Sequence, residues 1–84
     1  MLIKKETIMN NQRRKQMAEV IRSIEDARNL LETIKDEEQE AYDNMPESLQ
    51  EGEKGSAMSE KIDSMESVFD DLERAVDSLN EVIE

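Results

Sequence analysis

The side chains with the most evident chemical capacity in this sequence are carboxylates. Five fall within a short run: Asp36, Glu37, Glu38, Glu40 and Asp43. Clustered oxygens are what a hard divalent cation selects. The run lacks the alternating acids and central glycine of a calcium loop, and with no histidine anywhere there is no Glu-x-x-His pair for a di-iron bundle. Cysteine is absent too, which removes thiolate nucleophiles and thiolate metal ligands, and the lack of histidine removes the usual general base. Paired carboxylates divide acid and base roles only when one sits in an apolar pocket. Glu38 alone falls on an apolar seam, near an end where it reaches water. The cluster therefore reads as a solvated helix end. No catalytic residue, metal ligand or cofactor is assigned, and the chain is not expected to be an enzyme.

The remaining charges are unevenly placed. The net charge is −11 over 84 residues, yet residues 1–16 hold five bases (Lys4, Lys5, Arg13, Arg14, Lys15) against the single acid Glu6. No aromatic residue interleaves with these bases to stack on nucleobases, and the acidic remainder repels a phosphate backbone. Direct nucleic-acid binding is not expected. Further along, Asp63, Glu66, Asp70, Glu73 and Asp77 recur in alternating steps of three and four, with Asn80 and Glu84 continuing the series. Such acids share one helical face with neighbours ~5–6 Å apart, close to the spacing of successive phosphates. The simpler reading is a solubilising face. The sharper one is an acidic imitation of DNA that occupies a basic protein of the host. The first half differs, because Glu19–Arg22, Glu25–Arg28 and Glu32–Lys35 balance its charges locally.

The elements that carry these charges are two helices. Met17, Val20, Ile24, Ala27, Leu31, Ile34, Glu38, Ala41 and Met45 alternate steps of three and four, broken in character only by Glu38. Met58, Ile62, Met65, Phe69, Leu72, Val76, Leu79 and Ile83 do the same without interruption. That period marks one packing stripe per helix, whereas strands would show period two. Between the stripes lie the only proline, Pro46, the only tyrosine, Tyr42, and both glycines, Gly52 and Gly55. Asn44 is placed as the end of the first helix, Pro46 as the opener of a short turn through Gln50, the glycines as loose backbone, and Ser56 as the next N-cap. The sequence thus predicts an all-α fold, a long antiparallel coiled-coil-like hairpin. A basic extension covers 1–10, helix one about 11–43, the bend 44–56 and helix two about 57–83. Tyr42 and Leu49 are candidates to close the core at the tip, or to anchor a partner there.

Within this frame, the stretch "IKDEEQEAYDNMPESLQEGEKG" followed by "AMSEKIDSMESVFDDLERAVDSLNEVIE" resembles a family of small uncharacterised helical-hairpin proteins from bacteria, phages and prophages with a DEEQEAYDNxPESLQ-type signature. The likeness covers about residues 11–84 and is most specific over Asp36–Gln50. Lys54 stands where such chains often carry arginine, and Met65 and Phe69 replace a commoner leucine and alanine. The resemblance implies the hairpin and a phage or mobile-element origin. It implies no activity. By the same comparison "MLIKKETI" is an extension ahead of a usual start at Met9.

Both helices are broader on their apolar side than a two-stranded seam requires. Val68, Ala75 and Val82 form a second row on helix two, and Ile21, Leu30 and Tyr42 flank the seam of helix one. The surplus predicts a homodimer (two hairpins in a four-helix bundle) or another homo-oligomer, or docking on a host protein. The expected interface draws on Ile21, Ile24, Leu30, Leu31, Ile34, Met65, Val68, Phe69, Leu72, Ala75, Val76 and Val82. The function expected is that of a non-enzymatic interaction or structural module, with the acidic inhibitor as the alternative. No apolar run approaches the ~18 residues of a membrane span, and the N-terminal stretch lacks the apolar core of a secretory signal, so membrane partners are not expected and the location expected is cytoplasmic.

Overall fold

The computed structural model describes residues 10–83, so most of the expected basic extension lies outside the described residues. Three helices follow one another: α1 (Asn11–Asp43), the single-turn α2 (Glu47–Gln50) and α3 (Glu53–Ile83). No strand occurs among the described residues. Asn10 starts α1 as its N-cap, with extended backbone and a side-chain oxygen that accepts from the Arg13 N–H at 2.8 Å; this satisfies one of the otherwise unpaired first-turn donors. At the other end Asn44 is the C-cap, as its position before Met45-Pro46 suggested. The Pro46 carbonyl then accepts from the Leu49 and Gln50 N–H groups to form α2.

The second long helix begins at Glu53, ahead of the expected start at Ala57. The Gly52 carbonyl accepts from the Ser56 N–H at 3.0 Å, so Ser56 lies within the first turn and is not its cap. Gly55 is buried inside that turn and is not loose backbone. A Cβ there would come within 2.1 Å of the Gln50 carbonyl oxygen and 2.5 Å of its Cα, so the backbone of α3 meets that of α2 where only glycine fits. Gln50 closes the other side, its Nε2 donating to the Tyr42 carbonyl at 2.7 Å. The turn is thereby tied to both long helices.

The long helices run antiparallel. Arg14 reaches the carbonyl of Ile83, and Arg28 lies over Phe69; fourteen residues forward along α1 match fourteen back along α3. The same register sets Ile21 opposite Val76, Lys35 opposite Ile62, and Tyr42 opposite Gly55. Among the described residues the four that are buried, Ile21, Gly55, Ile62 and Val76, all belong to these layers. The product is a rod with principal extents of 69 × 16 × 12 Å, one helix pair thick.

The stripe of α3 packs inward as its spacing predicted: Met58, Ile62, Met65, Phe69, Leu72, Val76, Leu79 and Ile83 are all buried or half-buried. The stripe of α1 is corrected. Its Met17, Ile24, Leu31, Glu38 and Met45 row faces α3, but the companion row is Arg14, Ile21, Arg28, Lys35 and Tyr42, and Val20, Ala27, Ile34 and Ala41 are exposed. Both rows complete a 3–4 alternation with the shared one, so spacing permits either. The partner helix supplies the reason for the choice. At the Arg28 layer it presents Phe69 and Glu73, which suit a cation whose long stem covers apolar surface while its head reaches water.

Candidate functional site

Among the described residues no single cleft collects the charged side chains, which are spread along the rod. Its distinctive local feature is the set of cations in the helix seam. The Arg28 guanidinium carbon is 5.9 Å from the Phe69 ring centroid, within reach of a cation–π contact, and its Nη1 is 3.9 Å from Glu73 Oε2. Glu73 is about half exposed, so the ion pair contributes little net stability, and the packed stem of Arg28 contributes more. Lys35 is half-buried beside Asp36, at 3.6 Å. Polar residues at such inward positions lower stability and fix register.

The second feature is a division of the rod into two unlike sides. Two antiparallel helices are related by a rough two-fold normal to the plane they define, so the rows preceding Ile21, Arg28 and Lys35 on α1 and Phe69, Val76 and Ile83 on α3 emerge on the same side. Those rows are Val20, Ala27 and Ile34 with Val68, Ala75 and Val82. Leu30 adjoins them. Apart from the exposed Ala27 and half-buried Ala75, these side chains stand well out of the core, from 45% exposed for Ile34 to 61% for Leu30. Over this span, from Gln16 to Ile34 on α1 and Ser64 to Val82 on α3, the side carries one acid, Asp71, which is already paired with Arg74. The opposite side carries Glu25, Glu32, Asp63, Glu66, Asp70, Glu73 and Asp77, all exposed except the half-buried Glu25. One side of the hairpin is apolar and close to neutral; the other is strongly anionic.

Of the residues expected at an interface, Ile21, Ile24, Leu31, Met65, Phe69, Leu72 and Val76 pack within the hairpin, while Leu30, Ile34, Val68 and Val82 remain outside and Ala75, half-buried, lies in the outward row with Val68 and Val82. The carboxylate run at the end of α1 stays apart: Asp36, Glu37, Glu40 and Asp43 are exposed, Glu38 is half-buried in the seam, and Asp43 accepts from Gln39 Nε2 at 3.0 Å. No group of three or more acids converges on a metal-sized space among the described residues. A shallow groove between Lys15, Ala18, Glu19 and Arg22 lies far from Glu38 along α1. Tyr42 is half-buried at the tip and Leu49 is exposed. No helix among the described residues is long and apolar enough to cross a membrane.

Sequence reasoning missed Arg28, Lys35 and Gly55 as seam positions. A signal was present, because Gly55, Ile62, Phe69, Val76 and Ile83 repeat every seven residues. The glycine was in step with the core of α3 from the outset. Compared with family models, with curated proteins and with solved structures, the chain matches none.

Proposed function

We propose that this chain is a non-enzymatic helical interaction module of the cytoplasm that acts by packing its hairpin against further helices, in the first place those of its own copies. The observation that carries this reading is the exposure of Val20, Leu30, Ile34, Val68 and Val82 on a rod one helix pair thick. A small acidic chain with these five large aliphatic side chains on one side left in water loses burial that a partner would supply, at ~25 cal/mol per Å² of apolar surface covered. The absence of histidine and cysteine supports a role in binding over one in catalysis. The resemblance around Asp36–Gln50 supports a phage or mobile-element origin.

Sedimentation equilibrium over about 1–100 μM tests the reading, a range in which a Kd near 10 μM corresponds to roughly −7 kcal/mol. A concentration-dependent rise to twice the monomer mass is the expected outcome. A stable monomer throughout would count against self-association.

A second reading is favoured by one observation, the exposure of Asp63, Glu66, Asp70, Glu73 and Asp77 on a single side. In that reading the anionic side occupies the nucleic-acid surface of a basic host protein. Binding would then weaken steeply with salt and on charge reversal at Asp70 and Glu73. Binding indifferent to both would remove it.

A further inference from the structure

Self-association alone leaves open which surface two copies share and how so acidic a chain tolerates its own copy. The distribution of charge restricts the answer. Seven acids crowd one side of the hairpin, and a second copy apposed there would bring like charges together at contact distance, where they repel. The other side offers one acid between Gln16 and Ile34 and between Ser64 and Val82, a span that holds six of those seven, and that acid is paired with Arg74. It is the side on which two identical, net-negative rods can meet without that penalty.

Its relief points the same way. Between Val20 and Ile34 the outward row of α1 runs Val20, Ala27, Ile34, and between Val68 and Val82 that of α3 runs Val68, Ala75, Val82, so over this span each row carries a small residue between two larger ones. The antiparallel register brings Ala27 and Ala75 to nearby levels of the rod, about 8 Å apart along its axis at ~1.5 Å per residue. Two rods that cross are closest at the crossing point and diverge from it. Small side chains at the centre let the helices approach, and the larger ones on either flank fill the widening gap.

We infer that a second copy of this chain docks on the side bearing Val20, Ala27, Ile34, Val68, Ala75 and Val82, with Ala27 and Ala75 at the crossing and both acidic sides turned outward. This rests on the self-association proposed above and adds to it the surface and the partner. The contact is isologous, the same patch serving both protomers, as closed dimers require.

The test uses the full chain and two alanine substitutions of identical chemistry on opposite sides. Ala27→Glu places a carboxylate at the crossing, and Ala18→Glu places one on the anionic side; both sites are exposed. Sedimentation equilibrium should show association weakened by Ala27→Glu, with Kd raised about a hundredfold or more, while Ala18→Glu changes it less than about threefold. Circular dichroism confirms that each variant keeps its helix content, and Ala75→Glu serves as a second probe of the crossing from the other helix. If the unaltered chain dimerises but Ala27→Glu and Ala75→Glu leave its Kd unmoved, the assigned side is wrong and self-association stands. If the unaltered chain is monomeric across the range, self-association fails, and a different occupant, such as residues 1–9 or another protein, must cover this side.

Discussion

The two glycines of the bend sit three positions apart and have opposite relations to their surroundings. A Cβ on Gly52 would meet only ordinary contacts, with the carbonyl oxygens of Ser48 and Leu49 at 3.6 Å; a Cβ on Gly55 would strike the backbone of Gln50. Neither has the left-handed conformation that demands glycine for torsional reasons. The contrast therefore isolates steric fit. Gly55→Ala should lower stability by about 1–3 kcal/mol, whereas Gly52→Ala should leave it unchanged or raise it by ~0.4–1 kcal/mol through the unfolded chain. Urea denaturation of the two variants measures the difference, and equal effects would contradict the close approach of α3 to α2. Lys35 offers a second case. It occupies an inward layer opposite the buried Ile62, so its replacement by isoleucine exchanges a snorkelling cation for apolar contact. Lys35→Ile is expected to raise stability by about 1–2 kcal/mol. A loss on the same denaturation curve would show that the ammonium contributes more than its stem.

At the level of helices, α1 and α3 were legible to different degrees, and the reason is physical. In α3 every inward position from Met58 to Ile83 is apolar and the flanking row on one side carries Glu66 and Glu73, so hydrophobic period and burial coincide in all rows but one. The exception, Val68 with Ala75 and Val82, is the row that stays outside. In α1 two rows compete to accompany Met17, Ile24 and Leu31. The row with more apolar residues, Val20, Ala27, Ile34 and Ala41, lost to one with two cations, Arg28 and Lys35, at its centre. Period alone cannot rank two faces of one helix; that is decided by what the facing helix presents, and at the Arg28 layer α3 presents Phe69 and Glu73. The bend was legible as a bend from Pro46 and Asn44. Its closeness was not, because the approach of Gly55 to Gln50 depends on how α2 and α3 dock. Helix ends also carry a prediction. The last turn of α1 has no basic residue, and the run from Asp36 to Asp43 sets negative charge beside carbonyls whose dipole disfavours it. Glu40→Lys at this exposed site should stabilise α1 by ~0.3–1 kcal/mol. Thermal unfolding at low ionic strength measures it, and the gain should shrink as salt is added.

For the whole molecule, the net charge of −11 gives the two readings opposite responses to salt. Two identical rods repel at long range, so screening should strengthen self-association; Kd for the dimer is expected to fall as ionic strength rises from about 0.05 to 0.5 M, where the Debye length shortens from roughly 14 to 4 Å. Binding of a basic protein to the anionic side should weaken over the same range. Light scattering of the chain alone, and calorimetry with a basic partner, separate the two. The contact of Arg14 with Ile83 has a mechanical consequence as well, since it places Asn11 and Ile83 at one end of the rod. A tether attached to both would peel the helices apart layer by layer and meet little resistance at any instant. Tethers at that end and at the tip would instead stretch one helix along its own axis while the other still packs on it, and strain many layers together. Optical tweezers should therefore record a much lower rupture force in the first geometry, and anything joined to this chain at both ends would feel it as a zip rather than a strut.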